Sequence, residues 1–289
     1  MKNRIVSGAV ILALLVIGLF LLDTLWFNLI ICFLSASAVY EIFLAAGYLR
    51  HRPLFILSLL YSLCIPFFGT NINGFVIDFA HFIDFTIIYF VLMTIIILAS
   101  HEKTDFKTAG AIYMLCTLVP LSLSCMVYLR DLPHNKIEGY PLAAFFYIAV
   151  IFVGAWITDV FAYFTGRLFG RHKLCPKISP KKTVEGAIGG TFFCVIFFIA
   201  GSYIFDAFIL CGRGDVNLLI MAIIAVPCAV AGMFGDLFAS YIKRSFNIKD
   251  FGTLMPGHGG ILDRFDSVLL LAPLVLLLAK WIPPLVLTP

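Results

Sequence analysis

Charged residues are scarce in this sequence of 289 residues. Asp, Glu, Lys and Arg make up 12% of it, whereas 62% is hydrophobic and the mean hydropathy is +1.06. In soluble globular domains about a quarter of the residues are charged and about half are apolar. The composition therefore excludes an ordinary soluble domain, and it predicts an all-α, polytopic integral membrane protein.

The sequence also lacks several patterns that would point elsewhere. Its eight cysteines form no CxxC pair and lie mostly in apolar runs, which excludes a recognisable zinc site or disulfide framework. No period of about 20 to 50 residues repeats, and no low-complexity linker interrupts the chain. We therefore expect a single integral membrane domain over residues 1–289, and no nucleic acid as a partner.

Apolar runs long enough to cross a bilayer, roughly 18 to 25 residues each, recur along the whole chain. They predict nine transmembrane helices, near residues 5–22, 27–47, 53–70, 80–99, 109–129, 143–165, 187–209, 217–239 and 263–282. With the N-terminus in the cytoplasm, sixteen of the twenty Lys and Arg residues fall in cytoplasmic segments. This distribution follows the positive-inside rule, although two basic loops supply ten of the sixteen.

Information about chemistry is unevenly spread. Residues 1–140 are apolar runs joined by short loops, and we expect them to form a lipid-embedded scaffold. Glu41, Asp78, His81 and Asp84 lie in or beside these runs, where ionisable groups are costly. We expect the last three at a loop or interface, and no role in chemistry for any of the four.

The segment from Ser240 to Ser267 is dense in charge, with four Lys or Arg residues, three Asp residues and a Pro-Gly-His-Gly-Gly turn. Basic side chains neutralise phosphate oxygens, carboxylates hold a divalent cation, and glycines let backbone N–H groups approach an anion. The segment predicts a site for polyphosphate and metal. A solvated basic loop after a transmembrane helix would explain the Lys and Arg residues, but not the acids or the glycine turn.

A second basic segment runs from Gly166 to Gly186, with six Lys or Arg residues and no acid before Glu185. We interpret it as a phosphate-binding loop. Its Ser-Pro-Lys-Lys-Thr run precedes a predicted helix start at Gly189-Gly190, and helix N-termini favour anions. Binding of anionic lipid head groups without catalysis is the alternative.

Two helix faces carry further polar side chains. In the sixth predicted span Asp159 shares a face with Tyr163, Gly166 and Arg167, and a carboxylate within a span usually faces the protein interior or a wet cavity. In the eighth span a carboxylate, a hydroxyl and an ammonium share a face, those of Asp236, Ser240 and Lys243.

Asp263 and Asp266 are placed on the first turn of the ninth predicted helix, three residues apart. Our hypothesis is that Asp236 and Asp263 bind magnesium, with Asp266 as a direct or outer ligand. Acids at a helix N-terminus could instead interact only with the helix dipole.

These motifs resemble those of the phosphatidate cytidylyltransferases, also called CDP-diacylglycerol synthases. The resemblance rests on Ser240-x-Ile-Lys-Arg, Lys249-Asp250 and Pro256-Gly-His-Gly-Gly-Ile-x-Asp-Arg-Phe-Asp266, supported by Gly235-Asp236 and by the segments 159–170 and 179–186. It covers about residues 150 to 270, whereas the first 140 agree only in hydropathy. Met255 departs from a more usual branched aliphatic residue.

The resemblance implies that CTP and phosphatidic acid are converted to CDP-diacylglycerol and pyrophosphate with Mg²⁺, at the cytoplasmic face of the membrane. From the short loops and compact length we expect this to be a bacterial inner membrane. The resemblance leaves open a second, monovalent cation such as K⁺ and a homodimer. The residues it implies as catalytic are Asp236, Lys243, Arg244, His258, Asp263, Arg264 and Asp266. Those it implies for substrate binding are Asp159, Arg167, Ser179, Lys181, Lys182, Thr183, Glu185, Ser240, Lys249, Asp250, Gly259 and Gly260.

Two other classes remain open from the residues. A polyprenol or dolichol kinase would use similar cation and phosphate chemistry, but it needs a base for the attacking hydroxyl. A secondary transporter would explain many spans and a buried Asp159, but it predicts a midplane site in two related halves. The charges here cluster instead at the predicted cytoplasmic edge.

Overall fold

A computed structural model describes residues 17–72, 75–77, 80–102, 105–132, 142–252 and 259–287. Eight α-helices account for most of these residues. They are α1 (Leu25–Ala45), α2 (Arg52–Cys64), α3 (Ala80–Ala99), α4 (Phe106–Asp131), α5 (Leu142–Phe169), α6 (Val184–Phe205), α7 (Leu218–Ser245) and α8 (Val268–Trp281). The all-α, multi-pass character expected from composition is confirmed.

The prediction of nine spans is confirmed only in part. Six helical segments of the described chain are long and apolar enough to cross a bilayer: Leu25–Ala45, His81–Ala99, Phe106–Asp131, Leu142–Phe169, Val184–Leu210 and Leu218–Ser245. The apolar helices Arg52–Phe67 and Val268–Trp281 are shorter. Residues 5–16 of the first predicted span lie outside the described residues.

The eighth helix begins later than the sequence predicts, and this corrects the placement of two acids. Asp263 and Asp266 lie in turns before Val268, not on the first turn of a helix. The Asp263 carboxylate accepts a hydrogen bond from the Gly260 N–H, and that of Asp266 accepts one from the Ser267 N–H. Such local bonds compete with helix formation, so the apolar helix is short.

The chain divides into two compact units. The first comprises Met1–Asp131 with Phe246–Phe265, and the second comprises Leu132–Ser245 with Asp266–Pro289. The first unit contains α1 to α4 and an antiparallel pair of two-residue strands, β1 (Asn71–Ile72) and β2 (Phe75–Val76). The second contains α5 to α8 and two further antiparallel pairs.

A buried charge network ties together the helices of the first unit. Arg130, at the end of α4, is fully buried and lies 2.5 Å from the Asp131 carboxylate. Its guanidinium also donates to Asn28 Oδ1 at 2.7 Å and to the Leu22 carbonyl at 3.3 Å. Since a buried ion is costly unless paired and hydrogen-bonded, the network is a structural element of this unit.

Glycines set the close approach of α5 and α6 in the second unit. A Cβ atom on Gly186 would lie 2.6 Å from the Ala162 carbonyl oxygen, and one on Gly190 would lie 2.7 Å from that of Thr158. Small residues at such contacts let helix backbones pack tightly, as is common in membranes. This packing fixes the loop between α5 and α6 at one end of the helix pair.

That loop is a β-hairpin of β3 (Lys173–Cys175) and β4 (Ser179–Thr183), paired antiparallel. The pair β5 (Gly214–Val216) and β6 (Leu285–Leu287) joins two other segments of the second unit. Helix α6 begins at Val184, five residues before the start predicted at Gly189. The correction has a local cause: the Thr183 side chain caps the helix by accepting the Gly186 N–H at 3.1 Å.

Candidate functional site

The hairpin of the second unit carries four of the six basic residues of the predicted phosphate-binding loop. Lys181 and Lys182 are consecutive in β4, so their side chains point to opposite faces. Lys181 is exposed, whereas the ammonium of Lys182 is buried. The structure thus gives different surroundings to two lysines that were predicted to share one role.

Glu185 anchors the base of the hairpin. Its carboxylate accepts the backbone N–H of His172 at 3.2 Å, and one oxygen lies 2.7 Å from His172 Nδ1. The acid also lies in the first turn of α6, where a negative charge favours the helix dipole. Its contacts are therefore with the hairpin and helix start.

The buried face of the hairpin meets α7 through an ion pair. Lys182 Nζ lies 2.6 Å from Asp236 Oδ2. The contact is an ion pair without hydrogen-bond geometry, since Nζ has no hydrogen-bond partner within the described residues. Asp236 Oδ1 lies 3.4 Å from Ser240 Oγ, which donates to it one turn further along α7. The shared face predicted for Asp236 and Ser240 is confirmed.

Two more carboxylates belong to this part of the second unit. Ser267 Oγ donates to Asp159 Oδ2 at 3.0 Å, linking α5 to the residue before α8. Lys243 Nζ lies 4.0 Å from Asp266 Oδ2. Asp159, Lys182, Asp236, Lys243 and Asp266 form what we call the charge cluster, with three acids and two bases.

The acids of the charge cluster repel one another. Burial and then the Asp236 carboxylate raise the pKa of Asp266 to about 7, against the opposing effect of the Lys243 ammonium. Like charges that share a poorly solvated site disfavour simultaneous ionisation, and a cation relieves the repulsion. The cluster is therefore suited to bind a cation.

The carboxylates of the charge cluster are the type of ligand that magnesium prefers. Within the described ranges, no three His, Cys, Asp or Glu side chains converge on one metal position. Magnesium does not require such a cage, since it usually takes one or two carboxylates and completes its shell with water and substrate phosphate. The carboxylates of Asp236 and Asp266 fit that requirement.

The described end of the predicted glycine turn, Gly259 and Gly260, belongs to the first unit and contacts Asp263. Asp263 Oδ2 accepts the N–H of Phe251 at 2.8 Å and that of Gly260 at 3.0 Å. Gly259 has a φ of +83°, in the left-handed region that favours glycine, and a Cβ there would lie 2.9 Å from Asp263 Oδ2. Asp263 therefore binds the backbone at this end of the turn, a role the sequence did not predict.

A second carboxylate reaches the same turn from α1. Glu41 Oε1 accepts the N–H of Ile261, and Oε2 accepts that of Leu262, both at 2.9 Å. Sequence reasoning gave Glu41 no role in chemistry. The available signal was a carboxylate inside a long apolar run, which by default indicates a functional or paired group.

The remaining predicted site residues do not belong to the charge cluster. Ser179 is half-buried in β4, and Thr183 is the helix cap described above. His258 lies outside the described residues. The structure places the remaining predicted basic residues and one acid at exposed positions: Arg167, Arg244, Lys249, Asp250 and Arg264. Arg167 Nη1 lies 3.5 Å from the Tyr163 hydroxyl oxygen, and both of these side chains on the predicted α5 face are exposed.

Comparison with known proteins agrees with the resemblance found in the motifs. The phosphatidate cytidylyltransferase of Rickettsia bellii (strain RML369-C) is 36% identical over 196 residues, which are 65% of this chain and 78% of that protein. The protein of that name from Staphylococcus haemolyticus (strain JCSC1435) is 43% identical over 129 residues, 45% of this chain and 47% of its own length.

A third relative of the same name, from Staphylococcus saprophyticus, is 38% identical over 186 residues, 64% of each chain. The matches to the two staphylococcal proteins thus span less than two thirds of those relatives. The family model described as the Cytidylyltransferase family matches residues 2–282, nearly the whole chain. The chain therefore belongs to the Cytidylyltransferase family, and the predicted resemblance is confirmed.

Proposed function

We propose that this protein is a phosphatidate cytidylyltransferase, which converts CTP and phosphatidic acid to CDP-diacylglycerol and pyrophosphate. The observation that carries the proposal is the family match over residues 2–282, together with relatives that bear this name. The charge cluster supports it, because its acids and bases suit a metal ion and phosphate groups. The function class is that of a nucleotidyltransferase.

The reaction needs no protein nucleophile. A phosphate oxygen of phosphatidic acid forms a bond to the α-phosphorus of CTP. The bond from that phosphorus to the bridging oxygen of the β-phosphate breaks, and its electron pair leaves with pyrophosphate. Catalysis then consists of aligning two anionic substrates and neutralising charge in the transition state.

The basic residues of the second unit are suited to the anions. The Lys182 ammonium is buried without a hydrogen-bond partner in the described chain, so a phosphate oxygen could accept a bond from it. Lys243 offers a second ammonium within the cluster. Lys181 and Arg167, at exposed positions, would contact the outer part of a substrate or the membrane surface.

The acids would hold the metal ion. We assign Asp236 and Asp266 as magnesium ligands, and we retain Asp263 as the third candidate named from the sequence. Bound magnesium would supply charge neutralisation at the phosphate oxygens. Asp263 already accepts two backbone N–H groups, so any role at the metal must be combined with its role in the turn.

We place the protein in the plasma membrane of a bacterium, with its active site on the cytoplasmic side where CTP is available. The six long apolar helices support the membrane location. The excess of Lys and Arg in the predicted cytoplasmic loops supports the orientation.

The test is transfer of label from radioactive CTP in purified protein. With short-chain phosphatidic acid and Mg²⁺, label should enter a lipid product, and chelation of Mg²⁺ should abolish the reaction. Parallel assays supply a polyprenol, or offer solutes to protein reconstituted in liposomes. Phosphorylation of the polyprenol, or solute uptake without a cytidylylated lipid, would replace the proposal with a kinase or a transporter.

A further inference from the structure

One buried carboxylate of the first unit lies outside the motifs that identify the family. Glu41 sits near the end of α1 and is 1% exposed. Its two carboxylate oxygens accept the backbone N–H groups of Ile261 and Leu262, at 2.9 Å each. A buried carboxylate is costly unless such bonds satisfy it.

The chain around Glu41 is shaped to admit its carboxylate. The three atoms that a Cβ on Gly260 would approach most closely all belong to Glu41, and the methyl group would overlap them. A Cβ on Gly252 would lie 2.6 Å from Glu41 Oε1 and 2.8 Å from its carboxyl carbon. Two glycines from separate positions thus leave room for the same side chain.

The contacts of Glu41 adjoin those of Asp263. The Asp263 carboxylate accepts the N–H groups of Phe251 and Gly260. Glu41 accepts the next two N–H groups, those of Ile261 and Leu262, and so connects these residues to α1. Together the two acids accept the N–H groups of three consecutive residues, 260 to 262.

We propose that Glu41 is a positioning residue, which fixes the Gly259–Leu262 turn and thereby the Asp263 carboxylate for the reaction. It acts through the turn and does not itself touch substrate. The inference deepens the proposed function, on which it rests. It gives helix α1, part of the predicted scaffold, a role in placing the Asp263 carboxylate for the reaction. Misplacement of reacting or charge-stabilising groups by a fraction of an ångström slows turnover more than it weakens binding.

The first variant is Glu41→Gln. Its amide would direct an NH₂ group at one of the two backbone N–H groups, donor against donor, while keeping the size of the side chain. We expect kcat to fall on the order of tenfold or more, with much smaller changes in KM for CTP and phosphatidic acid. The matched control is Asp131→Asn, which removes another buried acid of the same unit and should lower thermal stability without lowering kcat.

The second experiment is a double-mutant cycle that probes the steric contact. Gly260→Ala places a methyl group against the Glu41 carboxylate, and Glu41→Asp withdraws the carboxylate by one methylene. Each change alone should lower kcat, and the double variant should retain more activity than the product of the two effects predicts. Gly110→Ala is the control glycine, since a Cβ there meets nothing within 4 Å.

A third measurement does not depend on activity. Hydrogen exchange of the amides of Ile261 and Leu262 should accelerate in Glu41→Gln, while amides of α4 keep their protection. If wild-type protein fails to cytidylylate phosphatidic acid, the proposed function is wrong. The exchange data then test by themselves whether Glu41 fixes the turn. A Glu41→Gln enzyme with normal kcat, independent effects in the cycle, or unchanged exchange at both amides would each overturn the proposal.

Discussion

The ammonium of Lys182 lies 2.6 Å from the Asp236 carboxylate, whereas its neighbour Lys181 points to solvent. The alternation of side chains along β4 produces this difference, because consecutive residues of a strand face opposite sides. One lysine therefore joins the hairpin to α7 within the charge cluster, and the other remains on the outer face of the hairpin.

The two lysines should differ in their contribution to catalysis. Lys182→Gln should lower kcat/KM by about tenfold or more, the effect of losing one charge-assisted hydrogen bond of roughly 1.5 to 3 kcal/mol. Lys181→Gln should have a smaller effect, mainly on KM, because its ammonium is exposed. Steady-state kinetics with CTP and phosphatidic acid would check this. Equal losses for both variants would contradict the distinction drawn from β4.

Removal of one charge from the acids proposed to bind magnesium should abolish turnover. Asp236→Asn keeps the size of the side chain but not the charge proposed to hold magnesium, and we expect the same for Asp266→Asn and for Asp263→Asn. Activity at saturating magnesium, in variants purified at normal yield, is the measurement. Retention of more than about a tenth of wild-type activity, a loss below about 1.4 kcal/mol in the barrier, would remove that residue from the essential ligands.

Gly235 is expected to be intolerant of any side chain. A Cβ atom there would lie 2.5 Å from the Asp266 carbonyl oxygen and 3.0 Å from that of Ser267, both backbone atoms. Gly235→Ala should therefore lower stability by about 1 to 3 kcal/mol, as overpacking usually does, and displace the turn that carries Asp266. Thermal unfolding in detergent would show it. Gly201→Ala, with nothing within 4 Å, is the control and should unfold near the wild-type temperature.

The termini are expected on opposite sides of the membrane, with the N-terminus in the cytoplasm and Pro289 outside. The prediction follows from the nine spans expected from the sequence and from the positive-inside distribution of Lys and Arg. Reporters that are active only in the cytoplasm, fused after Pro289, should be inactive, whereas periplasmic reporters should be active. A cytoplasmic C-terminus would require an even number of crossings, and thus that a short apolar helix such as Val268–Trp281 does not span.

The sequence was sufficient for the location of most helices. Helix α5 was predicted at residues 143–165 and extends over Leu142–Phe169, because long apolar runs in a membrane have few alternatives to a helix. The predicted boundaries failed where polar side chains bond locally. Thr183 starts α6 early, and Asp263 and Asp266 delay α8. Such capping and turn interactions depend on backbone geometry that hydropathy does not report.

The sequence by itself determined that this is a multi-pass membrane protein of the Cytidylyltransferase family, since composition and motif spacing are local properties of the chain. Only the tertiary structure decided the partners of the charged groups. Glu41 meets Ile261 across 220 residues, and Lys182 meets Asp236 because a hairpin turns one strand face towards α7. Contacts of this kind arise from the packing of helices and loops. No local sequence pattern predicts which residues distant in sequence will form them.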